Sequence, residues 1–502
     1  MRAFLFVLFA ASFVMAQGCA GNLPQSMNMS PPVRYALACA GTRDAAPAGS
    51  RALTSVDTLT LHDSTAPIRS FFLTAKVVRR PGLPDEWTFN GTVPGPELRV
   101  REGDHVRVVL TNDLPFSTTI HWHGIDVPNA ADGVAGVTQD AVKAGQTYTY
   151  DFIAADPGTY WYHSHQDTSN QIPRGLLGAL IVEPEKGPRY DKDYALVYHD
   201  DSPPRRGFFP ILAKILGAVD RRSVAVNGTI GNLALDAEPG DLVRLRLINA
   251  SAGETRANAA PLHLVVLGAP YRVVALDGHD LNGPQEIGPE ILPIGAGQRY
   301  DLALRMPASG AVRLVDRELE ETVTIGKGEV AAPGLAGLPV FDLTRYGLPG
   351  ALPEDRFDAS YTLDLGSHPG FHDGKFGLVH TIDGRDFPDT PMITVRPGEV
   401  VKLRFTNSGR TEEFHTMHLH GHSFQVLARN GIPLAGSPVR LDTLLVAPHE
   451  TWDVAFSADN PGIWMLHCHV LLHAATGMDM MVSYEGIHTP CSVGPATGNI
   501  PE

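Results

Sequence analysis

Residues 90–112, NGTVPGPELRVREGDHVRVVLTN, decide the fold because the chain carries this unit three times. The second copy, at 227–249, reads NGTIGNLALDAEPGDLVRLRLIN, and the third, at 382–407, reads IDGRDFPDTPMITVRPGEVVKLRFTN. In each copy a glycine and an acidic residue form a turn, and a strand with apolar residues at alternate positions follows and ends at Asn. Such alternation is typical of a strand with one face in a core. Three copies predict three consecutive β-sandwich domains, since each sheet must bury its apolar face against another.

The composition agrees with a large, mostly β protein. The 502 residues fit about three domains of roughly 150 residues each. The 50 glycines and 40 prolines are spread among short runs of Val, Ile, Leu and Tyr, as in a protein of many short strands and turns. The formal net charge is −15 and no long basic run occurs, so nucleic acid and anionic membranes are poor candidate partners.

The beginning of the chain predicts export. A short basic start precedes an apolar stretch, 3–16, that is too short to span a bilayer and has the length of a signal-peptide core. We therefore expect residues 1–18 to be a signal peptide and 19–64 an extension, with the mature protein periplasmic or extracellular. The alternative is a lipoprotein signal, in which Cys19 is acylated and anchors the chain to a membrane.

Two further cysteines, Cys39 and Cys491, lie near the two ends of the mature chain. In an oxidising compartment we expect them to form a disulfide that ties the termini together. The alternative is two unpaired thiols in separate environments.

A second repeated element carries histidines in the first and third units. Residues 146–165 read QTYTYDFIAADPGTYWYHSH, and residues 451–469 read TWDVAFSADNPGIWMLHCH. The same two units share a third element, TIHWHG at 119–124 and TMHLHG at 416–421. The middle unit matches only as QRYDLALRMPASGAVRLV at 298–315, without histidines. Chance does not readily supply two matching His-x-His pairs in the same order.

Ten of the 21 histidines fall into four tight clusters within these elements: His121/His123, His163/His165, His415/His418/His420 and His467/His469/His473. Isolated structural histidines do not explain such clustering, which indicates metal binding. Imidazole suits zinc, copper, iron and nickel alike, but Cys468 between two histidines adds a thiolate. With His473, the upstream His415 and the later Met478, the set is typical of blue copper. Zinc does not need the methionine, and an iron–sulfur cluster needs more thiolates.

Strand geometry explains the sequence His467-Cys468-His469. Neighbouring side chains on a strand point to opposite faces, so both histidines should face away from the thiolate, toward a second metal site. Backbone bonds then join the two sites and give electrons a short covalent route. The first unit has Ser164 at the cysteine position, so it can contribute histidine ligands to a shared site but cannot form a blue copper site of its own.

Four motifs together resemble the copper signatures of three-domain, laccase-like multicopper oxidases in residue type, order and spacing. They are HWHG at 121–124, HSH at 163–165, HTMHLHG at 415–421 and HCHVLLHAATGM at 467–478. The resemblance covers residues 65 to 487. It implies an all-β chain of three cupredoxin-like Greek-key β-sandwich domains, with copper ligands in the first and third and none in the second. The expected boundaries are 65–187, 188–348 and 349–502.

The resemblance also implies four copper ions and a role for each ligand. Type 1 copper takes His415, Cys468, His473 and Met478; type 2 copper takes His121 and His418; one type 3 copper takes His123, His163 and His469, and the other takes His165, His420 and His467. Electrons enter at the type 1 site through Cys468 and His473. Dioxygen is reduced to water at the other three ions, between the first and third domains.

Residues around the motifs carry further expectations. The resemblance implies that Asp132 orients water at type 2 copper and delivers protons; the alternative is a turn aspartate before Gly133. His422 and Asp442 are expected to hold ligand rings in their tautomers. Many bacterial relatives carry a carboxylate just after the last type 1 histidine, whereas this chain has Ala474, so another acid or water chain must serve the type 3 side. Four histidines outside the motifs are expected to be ordinary: His105, His199, His263 and His279.

The electron donor is less constrained by the sequence. The family's usual donors are phenols and aromatic amines, which we expect to approach His473 near the surface. An axial Met478 indicates a modest redox potential and hence easily oxidised donors. The alternative is an oxidase of cuprous ion for copper tolerance, although the chain has only 11 methionines and no methionine-rich insert. A copper-free scaffold or a copper store is disfavoured because all twelve ligand positions are filled. We expect a monomer.

Overall fold

The computed structural model describes residues 23–31, 53–61, 64–82, 84–201, 224–253, 259–317, 322–330, 334–352, 356–409 and 411–502. The expected leader, Cys19 and Cys39 lie outside these ranges, so the export signal, the lipid anchor and the disulfide to Cys491 stay predictions. Among the helices of the described ranges, none is both long enough and apolar enough to cross a membrane.

The first pair of sheets follows a short strand and contains two four-stranded sheets, ordered β3-β2-β5-β7 and β4-β9-β8-β6. Its strands are β1 (Thr54–Ser55, which precedes the sheets), β2 (Ile68–Val78), β3 (Glu86–Phe89), β4 (Leu98–Arg101), β5 (His105–Asn112), β6 (His121–His123), β7 (Thr147–Ile153), β8 (Gly158–His163) and β9 (Leu177–Glu183). Short helical turns lie at Val56–Thr58, Asn129–Ala131 and Ile172–Arg174, and helix α1 spans Thr168–Gln171.

The second pair of sheets has six and five strands, ordered β11-β10-β13-β18-β15-β16 and β12-β20-β19-β14-β17. Its strands are β10 (Lys192–Asp200), β11 (Val224–Val226), β12 (Asn232–Leu235), β13 (Leu242–Asn249), β14 (Leu262–Leu267), β15 (Tyr271–Leu276), β16 (His279–Asp280), β17 (Leu292–Ile294), β18 (Arg299–Arg305), β19 (Val312–Asp316) and β20 (Thr322–Ile325).

The third pair of sheets has seven and five strands, the first ordered β22-β21-β24-β30-β26-β27 with β28 beside β26, the second β23-β32-β31-β25-β29. Its strands are β21 (Ala359–His372), β22 (Lys375–Ile382), β23 (Met392–Val395), β24 (Val400–Asn407), β25 (His415–Leu419), β26 (Phe424–Arg429), β27 (Ile432–Pro433), β28 (Arg440–Leu441), β29 (Thr443–Val446), β30 (Thr451–Ser457), β31 (Ile463–Cys468) and β32 (Asp479–Tyr484). Helix α2 spans Leu471–Ala474, and β33 (Ile487–His488) pairs in parallel with β1.

The repeated unit behaves as its alternation predicts. In β24, Val401, Leu403 and Phe405 are fully buried while the residues between them are more exposed, and β5 shows the same pattern. Each fully buried side chain of this size contributes about 1.5–3 kcal/mol relative to exposure. The described part of the chain is therefore almost entirely β, with three consecutive β-sandwiches, as the sequence predicts.

Candidate metal centre

The first group of candidate ligands lies within the third sandwich. Cys468 ends β31, His415 begins β25, and His473 returns toward them from α2. The Cys468 Sγ atom is 3.6 Å from His473 Nδ1, and His473 Nδ1 is 3.2 Å from His415 Nδ1. All three side chains are buried, and so is Met478, whose carbonyl accepts a hydrogen bond from the Cys468 amide at 3.0 Å. A thiol and two imidazoles thus converge on one point.

Eight further histidines come together between the first and third sandwiches. Strand pairing sets them face to face, because His121 is opposite His163 in one sheet and His418 is opposite His467 in the other. Three buried groups have ligand nitrogens within 4.8 Å of one another: His121/His123/His418, His123/His163/His469 and His165/His420/His467. His467 and His469 belong to this cluster, whereas Cys468 between them belongs to the first group. The alternation of a β-strand separates the two sites as expected.

The ring nitrogens of the cluster fit a metal. His121 Nδ1, His163 Nδ1 and His418 Nδ1 each lie 2.9 Å from a backbone carbonyl oxygen. A carbonyl can only accept, so each Nδ1 carries the hydrogen and each Nε2 carries a lone pair. Among the described residues, none of these three buried Nε2 atoms has a hydrogen-bond partner. In metal sites of proteins, one ring nitrogen of histidine typically donates a hydrogen bond while the other binds the metal ion.

Burial sets the charge states of these groups. It is the main reason that the pKa values of His163, His165 and His420 lie well below the usual range, with the neighbouring histidines lowering them further. Burial is also the main reason that the pKa of His415 falls to about 3. The rings are therefore neutral, as metal ligands must be. Burial also raises the pKa of the Cys468 thiol to about 12, so a thiolate here needs a cation beside it.

Asp132 lies at the edge of the cluster. Its carboxylate oxygens are 3.1 Å from His420 Nδ1 and 3.1 Å from His121 Nδ1, and its side chain is buried. The turn after it requires glycine, since a Cβ on Gly133 would lie 1.8 Å from the Ile120 carbonyl oxygen, and φ there is +81°. The turn therefore brings one acid between two sets of candidate ligands.

Other residues named from the sequence also contact ligands. Asp442 Oδ1 lies 3.1 Å from His123 Nε2, and the Asp442 carbonyl accepts the His418 Nδ1 hydrogen bond. His422 Nδ1 donates to the carbonyl of His420 at 3.0 Å.

Of the four histidines expected to be ordinary, His105 pairs with Asp151, His199 packs in the second sandwich, and His279 contacts Ser423.

His473 does not lie near the surface, which corrects one expectation. Its side chain has no exposed surface, because the hairpin of β21 and β22 covers it. From this hairpin His380 stacks on the His473 ring, with ring centroids 3.9 Å apart. Glu413 lies beside both rings, 3.5 Å from His380 Nε2 and 4.0 Å from His473 Nε2. This layer therefore separates His473 from the surface of the protein.

Several further groups at the cluster were not predicted from the sequence. Glu502 Oε1 lies 3.2 Å from His467 Nδ1, and its other oxygen accepts from Thr168 Oγ1 at 2.5 Å. Burial raises the pKa of Glu502 to about 8. From the second sandwich, Arg299 binds both carboxylate oxygens of Asp442 at 2.7 and 2.6 Å. No motif marks these positions, and only the folded chain brings them together.

Known proteins resemble this chain in both sequence and structure. Two family models, both described as multicopper oxidase, match residues 74–187 and 361–486, respectively. Multicopper oxidase MmcO of Mycobacterium tuberculosis is 30% identical over 444 residues, which cover 79% of this chain and 82% of that protein. Laccase-2 of Botryotinia fuckeliana is 28% identical over 78% of this chain and 77% of its own. The crystal structure of a multi-copper oxidase from Pseudomonas thermotolerans matches with a TM-score of 0.68 and 30% identity, covering 84% of this chain and all of the other.

Proposed function

This chain belongs to the multicopper oxidase family, and from that premise we propose which residues hold its four coppers. The ligand sets are His415, Cys468, His473 and Met478 for type 1; His121 and His418 for type 2; His123, His163 and His469 for one type 3 ion; and His165, His420 and His467 for the other. The observation that carries this proposal is Cys468, which lies with His415 and His473 while the histidines on either side of it lie in the other cluster.

The enzyme is a copper-dependent, laccase-like oxidoreductase that uses dioxygen as its acceptor. Bound copper supplies one-electron oxidation of a donor at the type 1 position and four-electron reduction of dioxygen to water at the cluster. The chain holds the ligand rings in fixed tautomers, keeps the sites buried, and joins them through the backbone of 467–469. The proposed ligand residues would bind the copper ions and fix their positions, and the buried surroundings exclude bulk water.

Asp132 is our candidate for proton delivery at the cluster. Its carboxylate is within hydrogen-bond reach of two ligand rings, His121 and His420, in a site shielded from bulk water. A proton donor must first lie within hydrogen-bond reach of the groups that it serves, and Asp132 meets this requirement. In this proposal, the Asp132 carboxylate holds the proton that is delivered during reduction of dioxygen at the cluster.

Phenols and aromatic amines are the proposed donors. An axial methionine favours a modest potential and therefore easily oxidised donors. Since His380 covers His473, we propose that donors contact the hairpin rather than the ligand itself. This arrangement restricts how closely a bulky donor approaches the type 1 site.

Oxidation of a metal cation is the second candidate, and Glu413 is the observation that favours it. Its carboxylate lies beside His380 and His473, between the hairpin and the type 1 ligands. A carboxylate there lowers the energy of a cuprous or ferrous ion that approaches the site. A neutral phenol or aromatic amine carries no positive charge, so its approach gains less from this carboxylate.

Export to the periplasm or the extracellular space, with Cys19 lipidated if the chain is membrane-anchored, remains our proposal for location, and a monomer remains our proposal for assembly. Support for export comes from the apolar stretch at residues 3–16.

Copper analysis with an absorption spectrum tests the ligand proposal. We expect four coppers per chain and an intense blue thiolate band from the purified protein. A donor panel of a methoxyphenol, cuprous ion and ferrous ion, compared by rate, then separates the two donor classes. One copper or none, or a colourless four-copper protein, would contradict the ligand sets.

A further inference from the structure

A carboxylate from the third sandwich, Asp442, lies directly behind two of the proposed ligands. Its Oδ1 atom is 3.1 Å from His123 Nε2, and its carbonyl oxygen is 2.9 Å from His418 Nδ1. Both oxygen atoms can only accept, so both ring nitrogens carry hydrogens and the opposite nitrogens, His123 Nδ1 and His418 Nε2, hold lone pairs. Those two atoms are buried and lack hydrogen-bond partners among the described residues. The position of Asp442 therefore sets two tautomers at once.

The second sandwich holds Asp442 in this position although it supplies no ligand. Arg299, at the start of β18, donates from Nη1 to Asp442 Oδ1 at 2.7 Å and from Nη2 to Oδ2 at 2.6 Å. Its Nε atom donates to the Thr159 carbonyl of the first sandwich at 2.9 Å. Arg299 is fully buried, so one planar guanidinium joins all three sandwiches behind the cluster. A bidentate pair of this kind fixes direction as well as charge.

A second carboxylate fixes the backbone on both sides of this pair. Asp277 accepts the amide hydrogen of Arg299 at 2.8 Å through Oδ1 and the amide hydrogen of Thr443 at 3.1 Å through Oδ2. Thr443 directly follows Asp442, so Asp277 ties the two halves of the pair together. Its backbone has φ of +45°, an unusual conformation that the surrounding bonds maintain.

The chain leaves space for this pair beside a ligand. Gly124 follows His123 in the first motif, and a Cβ at this position would lie 2.2 Å from Arg299 Nη2 and 2.5 Å from Asp442 Oδ2. Its φ is +89°, which also favours glycine. The glycine that ends the HWHG motif is therefore required by Arg299 and Asp442 behind the ligand.

We propose that Arg299 and Asp277 of the second sandwich are positioning residues of the three-copper cluster, which they control by locking Asp442 against His123 and His418. The proposal rests on the ligand sets proposed above. Removing Arg299 leaves Asp442 as a buried charge without its bidentate partner, so the carboxylate is no longer held against the two rings. The loss of this contact releases the two tautomers, while the type 1 ligands of the third sandwich keep their geometry.

The test compares Arg299→Met and Arg299→Lys with Arg246→Met. Arg246 is the matched control, because it is also buried, binds Asp193 through two nitrogens at 2.7 and 2.8 Å, and also reaches Thr159. It lies in the second sandwich and contacts no proposed ligand. The measurements are copper per chain, the blue thiolate band and the type 2 signal in electron paramagnetic resonance, at graded concentrations of a copper chelator.

We expect Arg299→Met to lose cluster copper at about 10- to 100-fold lower chelator concentration than wild type, as is typical for residues that hold metal ligands. Its blue band per chain should be unchanged. Arg299→Lys keeps the charge but cannot bind both oxygens, so its chelator resistance should lie between those of wild type and Arg299→Met. Added guanidinium ion should partly restore the chelator resistance of Arg299→Met. Arg246→Met should unfold at lower temperature and keep wild-type chelator resistance.

Two results would overturn the proposal. One is wild-type chelator resistance and type 2 signal in Arg299→Met; the other is equal copper loss in Arg299→Met and Arg246→Met. If Arg299→Met does not fold, wild-type resistance in Arg299→Lys has the same meaning. A wild-type protein without a blue band would instead show that the ligand sets are wrong, which distinguishes failure of the proposed function from failure of this inference.

Discussion

His380 lies flat against His473, with ring centroids 3.9 Å apart and ring planes inclined by 21°. The His380 ring also shares a hydrogen bond of 2.6 Å with Thr476 Oγ1, which holds the stack in place. The proposed type 1 ligand is therefore enclosed by a side chain from a different part of the chain. On the proposed ligand set, this layer limits how closely a donor approaches the type 1 copper.

Replacing His380 by alanine should open the type 1 site to bulky donors. We expect faster anaerobic bleaching of the blue band by a bulky substituted phenol and little change with a small one, because the donor can approach His473 directly. Stability should fall by about 1–3 kcal/mol from the lost buried hydrogen bond. Stopped-flow absorption measures the bleaching, with His372→Ala on the same hairpin as the control. Equal rates in all three proteins would contradict a covering role.

Glu413→Gln should separate the two donor classes. The change keeps the shape and removes the negative charge beside His473, so oxidation of cuprous or ferrous ion should slow by about tenfold or more, equivalent to at least about 1.4 kcal/mol of lost attraction. Oxidation of a neutral phenol should change little. Initial oxygen uptake with each donor measures both rates. An equal decrease for the ion and the phenol would show that Glu413 acts on the copper site rather than on the cation.

Asp132→Ala should slow reoxidation by dioxygen far more than it slows reduction of the type 1 site. Positioned acids contribute about 10²- to 10⁴-fold to proton transfer, and Asp132 is beside the cluster rather than beside Cys468. Rapid mixing measures the two half-reactions separately. Asp132→Asn serves as a second variant, since it keeps an oxygen to accept from the ligand rings but carries no acid. Equal slowing of both half-reactions would refute the role.

Asp277 should make the copper-free protein less stable as pH rises. Burial, aided by the charge of Asp442, raises the pKa of Asp277 to about 8 against the opposing effect of Arg299. Between the unfolded value of about 3.9 and pH 8, the folded chain holds a proton that the unfolded chain has released, so stability falls with pH. Asp277→Asn should reduce this slope by up to about 1.4 kcal/mol per pH unit.

Urea unfolding of the copper-free protein at pH 5, 6 and 7 measures that slope. Asp236→Asn, which removes an exposed carboxylate of the same sandwich, is the control and should leave the slope unchanged. A wild-type slope in Asp277→Asn would show that Asp277 is ionised in the folded state throughout this range.

The sequence predicts the fold and the histidine clusters because both depend on local patterns. Alternation in the three repeated units fixes which residues face a core, and the His-Cys-His order on one strand fixes which side chains face which site. The structure brings the expected histidines into two neighbouring groups. These features need only strand geometry and the pairing of similar units.

The groups behind the ligands could not be predicted, because they depend on long-range packing. Arg299 and Asp442 are 143 residues apart, and His380 is separated from Thr476 by 96. No periodicity or motif marks Arg299, Glu413 or Glu502, each of which is an ordinary charged residue in the sequence. The expectation that His473 lies near the surface was wrong for the same reason, since a hairpin remote in sequence covers it.

Replacing Cys468 by serine is the most direct test of the whole account, because the thiol is the only ligand that belongs to one site while its two neighbours belong to the other. Absorption at visible wavelengths and oxygen uptake with a phenolic donor should be measured on the copper-loaded protein. We predict that Cys468→Ser loses the blue band and nearly all oxygen uptake while keeping copper in the histidine cluster. An unchanged colour and an unchanged rate of oxygen uptake would contradict the account.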